Sequence, residues 1–334
     1  MKTVPRYSIV IPAHNEEAVL AECHRQLKEV MDSTGECYEL IFIDDGSRDR
    51  TGEVLEGLAA SDPNVKVLSF SRNFGHQVAI SAGMDHASGE AVIVIDADLQ
   101  DPPSVILQMI EKWKEGYDVV YGRRGERQGE TAFKKATAYL FYRLLRSMTE
   151  VDIPPDVGDF RLIDRKVCDV MGRIRERNRF IRGLISWVGF RQTAVNYVRE
   201  ERFAGETKYP LSKMLRFALD AIFSFSHRPL KLASYLGLLT SFAGFAYFGY
   251  AIYLKLFTAR TVQGWTSLIG FTLVFDGIVL LILGIIGEYL GRIYDESKNR
   301  PFYVVREKLG FELQENGRYG EVEEIPRGRR VVRV

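Results

Sequence analysis

The sequence predicts an α/β fold with a mainly parallel sheet, joined to interfacial amphipathic helices and a two-helix transmembrane hairpin. Three observations predict it: four short apolar runs separated by helical patterns, a polar segment at the end of each run, and two long stretches after residue 231 that are almost free of charge.

The runs are YSIVIP (7–12), YELIFID (38–44), VKVLSF (65–70) and AVIVID (91–96). Their continuous apolar character suits parallel strands covered by helices on both faces, where side chains on either side of the strand are buried. In open sheets of this kind ligands bind beyond the carboxyl ends of the strands. The polar residues fall at that edge: PAHNEE (12–17), DDGSRD (44–49), SRNFGHQ (71–77) and DADLQD (96–101). Asp, Asn and Gly also make turns and helix caps after strands, so any one segment alone is as readily structural as functional. Four in succession favour a binding edge. Neither GxGxxG nor GxxxxGK(S/T) occurs, which weakens a dinucleotide or P-loop reading.

The composition changes at about residue 232. KLASYLGLLTSFAGFAYFGYAIYLK has no charge between Lys231 and Lys255, and WTSLIGFTLVFDGIVLLILGIIGEYL carries only Asp276 before Glu288. At about 1.5 Å per residue each can cross a hydrocarbon core of ~30 Å, with spans near 232–254 and 265–289. A buried hairpin in a soluble protein is the alternative. The connection carries Lys255 and Arg260, whereas the outer flanks carry Arg228, Lys231, Arg292, Lys298, Arg300, Arg306 and Lys308. Positive-inside bias therefore places the sheet domain and both termini in the cytoplasm, on a multi-pass protein of the inner membrane.

The expected organisation is a sheet domain over 1–209, a juxtamembrane helix over 210–229, the two spans within 230–291 and a cytoplasmic tail over 292–334. In 210–229, Leu211, Met214, Leu215, Ala218, Ile222 and Phe225 recur at helical spacing, the pattern of a helix lying on a membrane surface. Residues 131–148 are a second candidate, for which core packing is an equal contender. Asp276 would sit at mid-membrane depth, where an ionisable group is by default functional or faces another helix. Gly287 and Gly291 form a GxxxG that can pack helices between subunits or within the hairpin.

The balance of 45 basic against 44 acidic residues leaves a net charge of +1, so no overall field argues for nucleic acid. Cys23, Cys37 and Cys168 are odd in number and far apart, with no CxxC pair, which suggests neither a disulfide framework nor a zinc knuckle and fits a reducing cytosol. The N-terminal MKTVPRYSIVIP has too short an apolar run for a signal peptide.

An Asp-x-Asp at the end of a buried strand suits Mg²⁺ or Mn²⁺, hard cations that bind through one or two carboxylates plus substrate phosphates. The pair here is Asp96 and Asp98, with Gln100 supplying a further oxygen. Asp101, followed by two prolines, reads as a helix cap. A lone Asp-x-Asp is a weak pattern.

The segments IPAHNEE, IDDGSRDRT, SRNFGHQVAISAGMDHASGE, DADLQDPP, GDFRLIDR, RGLISWVGF, AGETKYPLSKM and GEYLGRIYDESKNRPFYVV give it context. On them the chain resembles glycosyltransferase family 2 enzymes of GT-A fold. More narrowly, it is similar to bacterial polyprenyl-phosphate glycosyltransferases related to dolichol-phosphate mannose synthase, over residues 7 to about 310. The resemblance implies a GT-A (nucleotide-diphospho-sugar transferase) domain in which Pro12, His14 and Glu16 contact the nucleotide and Asp44 and Arg72 hold the uracil or its ribose. Asp96 would reach ribose and metal, and Asp98 and Gln100 would ligate the ion. His14 stands where relatives often carry tyrosine.

The resemblance further implies inverting transfer of one sugar, from UDP-glucose or another UDP-hexose, to a membrane polyprenyl phosphate such as undecaprenyl phosphate. The product would be a lipid-linked sugar donor for the cell envelope. The acceptor phosphate needs cations, and Arg123, Arg124, Arg182, Arg202 and Lys208 are candidates, together with Tyr209. Asp159 is the implied catalytic base. A phosphate monoester is already anionic at neutral pH, so positioning the acceptor or balancing cations is an open alternative, as is a strand-start cap. A homo-oligomer, suggested as a tetramer, rests on resemblance alone. Two rivals remain: a processive polysaccharide synthase, which would need a QxxRW motif and more spans, and a nonenzymatic membrane partner of a lipid-linked sugar flippase, which would have lost its ligands.

Overall fold

The computed structural model describes residues 4–125, 157–174, 176–177, 179–199, 228–257, 264–311, 321–325 and 329–333. It divides into two compact units, one holding a sheet and the other two long helices. The expected interfacial helix at 131–148 and residues 210–227 of the expected juxtamembrane helix lie outside the described residues.

The sheet is built from β1 (Tyr7–Ala13), β2 (Tyr38–Asp44), β3 (Val65–Phe70), β4 (Ala91–Val94), β5 (Val119–Arg124), β6 (Val157–Asp164), β7 (Gln192–Tyr197), β8 (Val305–Leu309), β9 (Glu321–Ile325) and β10 (Arg329–Arg333). Its order among the described residues is β7-β5-β6-β4-β1-β2-β3-β8-β10-β9. The centre, β4-β1-β2-β3, is parallel, and antiparallel pairs flank it on both sides. Every residue of β1 and β2 is buried, as the continuous apolar runs require.

The chain winds from β1 to β2 to β3 and then returns to place β4 on the other side of β1. The sense of winding reverses at β1, and the helix-to-strand connections there diverge to leave a crevice at the carboxyl edge. Helix α1 (Leu20–Asp32) covers one face through Leu20, Cys23, Leu27 and Met31, spaced three or four apart. Helix α2 (Thr51–Ser61) follows β2. Helix α3 (His76–His86) lies against β1: a Cβ at Gly83 would stand 2.2 Å from Val10 Cγ1, so only glycine permits this approach. The first residues of α3 are thereby held at the crevice.

Helix α4 (Val105–Lys114) packs Val105, Ile106, Met109 and Ile110 into the core. Strand β6 then enters antiparallel to β4, pairing Val94 with Arg161. Two residues onward along β4 and two residues back along β6 are Asp96 and Asp159, so the register brings these acids to one edge. Helices α5 (Arg165–Arg173) and α6 (Ile181–Val188) complete this half.

Within the expected tail, strands at 305–309, 321–325 and 329–333 join the sheet. β8 pairs antiparallel with β3 through Val67–Leu309 and Leu68–Lys308, and β10 and β9 extend the sheet beyond it. The physical reason is that β3 without β8 would be an open edge, with a row of unpaired backbone groups.

The second unit holds α7 (Arg228–Phe257) and α8 (Trp265–Ser297). Within them Arg228–Leu254 and Gly270–Ser297 are long and apolar enough to cross a membrane by length and composition. Tyr247 and Phe271 bring the helices together with ring centroids 5.1 Å apart. Asp276 is exposed on α8. Among the described residues, a Cβ at Gly287 or Gly291 would meet no atom within 4 Å, so the GxxxG is not a contact inside the hairpin.

Candidate active site

The loops after β1 and β2 are laced together. Asn15, in the left-handed region at φ 56, accepts from the Arg48 N–H at 2.8 Å and donates its own N–H to Ser47 Oγ at 3.0 Å. The Glu16 N–H donates to Thr51 Oγ1 at 2.9 Å. His14 Nδ1 donates to the Asp45 carbonyl at 2.9 Å, and its Nε2 lies 3.1 Å from Asn15 Nδ2. Both ring nitrogens are thus engaged by the protein, which leaves the exposed ring face for contact with a ligand.

Asp44 and Asp45 divide the work at the end of β2. Asp45 is buried and accepts the Phe74 N–H at 2.6 Å and the Gly75 N–H at 2.9 Å, which fixes the loop after β3. Burial pushes its carboxyl up despite those two amides. Asp44 accepts the Ser47 N–H on Oδ1 at 2.9 Å. Gly46, at φ 63, lets the two loops meet backbone to backbone: a Cβ there would stand 2.4 Å from the Arg72 carbonyl carbon. Arg72 is exposed, with its guanidinium 3.9 Å from the centre of the Phe74 ring.

After β4, Asp98 is 7 % exposed and its Oδ1 accepts the Gln100 N–H at 3.2 Å, with Leu99 between them at φ 58. Such a backbone for leucine is strained by about 1–3 kcal/mol, a cost tolerated where a turn must aim its neighbours. Among the described residues Asp96 Oδ1 is buried without a hydrogen-bond partner, and His76 Nε2 stands 3.4 Å from it. Burial, reinforced by Asp159, Asp101 and Asp98, pushes Asp96 up to about 6, although His76 opposes it.

Asp159 is the hub of the site. Arg182 Nε and Nη2 reach its two oxygens at 2.8 and 3.0 Å, Gln77 Nε2 donates to Oδ2 at 3.2 Å, and His76 Nε2 lies 3.3 Å from the same oxygen. Burial opposes its ionisation, but Arg182 and His76 prevail and hold the carboxyl well below the usual range. Desolvation lowers the His76 imidazole, yet Asp159 and Asp96 outweigh it and raise it to about 9. Gln77 Oε1 accepts the Ile181 N–H at 3.0 Å, tying α3 to the start of α6. Behind them Arg161 is buried and donates to the Gly158 carbonyl at 2.7 Å.

Asp101 differs from its expected role. The N-cap of α4 is Ser104, and Asp101 is instead fully buried, where it accepts from the Tyr197 hydroxyl. Arg199 Nε and Arg124 Nη2 stand 3.7 and 3.9 Å from its Oδ1. The two prolines that follow delay the helix, so the side chain turns inward to neighbouring cations. Arg123 and Arg124, adjacent on β5, project to opposite faces. Arg124 joins Asp101, while Arg123 is exposed.

Among the described residues no group of three or more His, Cys, Asp or Glu side chains could hold a metal ion by itself. A Mg²⁺- or Mn²⁺-type site requires less, because substrate phosphates and water complete its shell. The unpartnered buried oxygen of Asp96 and the neighbouring Asp98 fit that requirement.

Residues 8–172 match the family model described as glycosyl transferase family 2. An uncharacterized glycosyltransferase, YkcC, of Bacillus subtilis (strain 168) is 64 % identical over 307 residues, covering 92 % of this chain and 95 % of the relative. The chain belongs to glycosyl transferase family 2. It is a glycosyltransferase of GT-A fold. Another family member, the bactoprenol glucosyl transferase of Shigella phage SfV, is 42 % identical over 301 residues, covering 90 % of this chain and 98 % of the relative. Among solved structures, glucosyl-3-phosphoglycerate synthase from Mycobacterium tuberculosis in complex with UDP has a TM-score of 0.44 at 22 % identity, covering 66 % of this chain and 79 % of that one.

Within this family member the carboxyl edge of β1–β4 gathers Pro12, His14, Glu16, Asp44, Arg72, Asp96, Asp98 and Gln100, and β6 and α6 add Asp159 and Arg182. Arg202, Lys208 and Tyr209 lie outside the described residues. Sequence reasoning passed over His76, Gln77, Asp45 and Arg161. The first two stand in SRNFGHQ, where their place at the start of a helix after a strand was the available clue. Nothing local marked Arg161.

Proposed function

We propose that the protein transfers one sugar from a nucleotide sugar, UDP-glucose or another UDP-hexose, to a polyprenyl phosphate at the cytosolic face of a membrane, with inversion at the anomeric carbon. The observation that carries this reading is that His76 stands between Asp96 and Asp159, with the Asp98 carboxylate near enough to act on Asp96, in a chain that also has two helices of membrane-spanning length. The likeness to bactoprenol glucosyl transferases supports the lipid acceptor.

In the reaction an acceptor phosphate oxygen forms a bond to the anomeric carbon, and the bond from that carbon to the donor's β-phosphate oxygen breaks, its electron pair leaving with the nucleoside diphosphate. Asp96 and Asp98, with Gln100 beside them, would hold Mg²⁺ or Mn²⁺, which supplies charge compensation for the departing diphosphate. His14, Glu16, Asp44 and Arg72 line the path of the nucleoside. Asp159 is ill suited to accept a proton, because Arg182 and His76 hold its carboxyl so low. An acceptor phosphate brings no proton that must be removed. Of the two roles open to Asp159, the positioning role is therefore the better supported: it fixes Arg182, a guanidinium fork matched to phosphate oxygens.

The test is to incubate purified full-length protein, Mg²⁺ or Mn²⁺ and undecaprenyl phosphate with a panel of UDP-sugars and to measure UDP release. The reading predicts release that requires the lipid with at least one donor. Lipid-independent release with every donor would overturn the acceptor assignment.

A further inference from the structure

Strand β8 carries a residue whose placement the sheet alone does not explain. Val305 pairs with Phe70 and Glu307 with Ser69, so Arg306 is the extra residue of a β-bulge. Bulges re-aim a side chain and recur beside active sites. The strand around it is fixed: the Ser71 N–H donates to the Val304 carbonyl at 2.9 Å, Tyr303 stacks on Phe70 at 5.1 Å, and Lys308 Nζ lies 2.9 Å from His86 Nε2. The bulge sends the Arg306 guanidinium toward the end of β2, where its Nη2 stands 3.8 Å from Asp44 Oδ2.

That separation exceeds a direct hydrogen bond. The Arg306 side chain is 55 % exposed against 2 % for Asp44, and exposed pairs contribute little to stability. Stability therefore does not account for the bulge. What the pair does offer is a pattern: one carboxylate oxygen, its partner oxygen already taken by the Ser47 amide, beside a cationic donor.

We propose that Arg306 is a specificity residue of the donor site that reads the nucleobase together with Asp44, an inference that rests on the nucleotide-sugar reading above. Uracil presents an N–H beside a carbonyl, which a carboxylate oxygen and a guanidinium satisfy together. With the base held where uracil N3 faces Asp44, cytosine turns a ring-nitrogen acceptor toward the carboxylate that needs a donor, and guanine brings a second N–H beside the first to the one oxygen that is open. A buried polar group left unpaired by the wrong base is what gives such a site its discrimination. A segment that follows both long helices in the chain would thus complete a pocket begun by β2.

The experiment titrates UDP, CDP and GDP with Mn²⁺ onto full-length wild-type, Arg306→Ala and Arg306→Lys proteins by calorimetry, alongside steady-state kinetics. Arg306→Ala is expected to weaken UDP about tenfold, the loss of one charge-assisted hydrogen bond, and to narrow the preference for UDP over CDP. Donor KM should rise in step while kcat stays within about twofold, and lysine should recover part of the affinity. UDP binding and base preference unchanged in Arg306→Ala would overturn the role of Arg306 and leave the proposed function standing. A uniform loss of affinity with no change in preference and no rescue by lysine would make Arg306 structural and overturn it equally. A wild-type protein that binds no nucleoside diphosphate would overturn the donor-site reading itself, and this inference with it.

Discussion

Arg182 grips Asp159 at two points, Nε to Oδ1 at 2.8 Å and Nη2 to Oδ2 at 3.0 Å. The antiparallel register of β6 on β4 sets this pair beside Asp96, at the edge where the parallel strands end. A carboxylate so held is a poor base and a firm anchor. Its charge decides where the guanidinium points.

Asp159→Asn is accordingly expected to keep donor binding and the fold but to lower turnover on the order of a hundredfold, because in the proposed role the Arg182 guanidinium loses the anchor that orients it. Arg182→Ala should destabilise the sheet unit by about 3 kcal/mol, since it strips a buried carboxylate of its two-point guanidinium partner and leaves only His76 and Gln77 beside it among the described contacts. Steady-state kinetics, UDP titration and thermal unfolding separate the two effects. Unchanged turnover in Asp159→Asn would leave the pair purely structural.

Gly46→Ala tests the packing of the nucleotide edge. The added methyl would meet the backbone of Arg72 and Asn73 at a residue with φ 63, so the loops after β2 and β3 must separate. A loss of about 2 kcal/mol or more in unfolding free energy, with a raised donor KM, is expected. An unaltered melting temperature would show that the loops move freely.

Glu39 gives a pH dependence away from the site. It is buried, accepts from Ser8 Oγ at 2.5 Å and from the Ser88 N–H at 2.7 Å, and pairs with Lys66. Burial opposes its ionisation, but Lys66, Ser8 and Ser88 together lower its carboxyl below 4.5. A lowered folded-state value contributes stability that is complete above the unfolded value and is lost as pH falls through the folded one. Glu39→Gln should therefore cost stability at pH 7 and flatten the decline below about pH 4.5. Denaturant midpoints measured from pH 7 to pH 3 check this, and parallel curves for the two proteins would contradict it.

Much of this was legible in the residues, for reasons that differ by element. β2 and β3 occupy the very runs YELIFID and VKVLSF, because strands buried on both faces leave an unbroken apolar trace. Helices α7 and α8 reach beyond the two spans read from hydropathy, to 228–257 and 265–297, since polar helix ends carry no hydropathic mark. β8 was hidden: the strand runs through VREKL, whose three charged residues interrupt the apolar trace that marked the central strands. The ion cluster was half legible. Asp96, Asp98 and Asp159 stood out as carboxylates, but the position of His76 between two of them depends on the crossing of α3 over β1 at Gly83, which no local pattern states.

Asp98→Ala should abolish lipid glycosylation while leaving the protein folded and in the membrane, because one of the two strand-end carboxylates offered to the ion is gone. Treatment of the wild type with a chelator should give the same loss, reversed by Mg²⁺ or Mn²⁺. Full activity in Asp98→Ala would remove the metal assignment.

The most direct measurement is a crystal structure of the protein with UDP and Mn²⁺, with manganese located by anomalous scattering. The account predicts a manganese peak beside Asp98, the UDP diphosphate next to it, and the uracil toward Asp44. A diphosphate bound away from the Asp96–Asp98 edge, or manganese ligated only elsewhere, would contradict it.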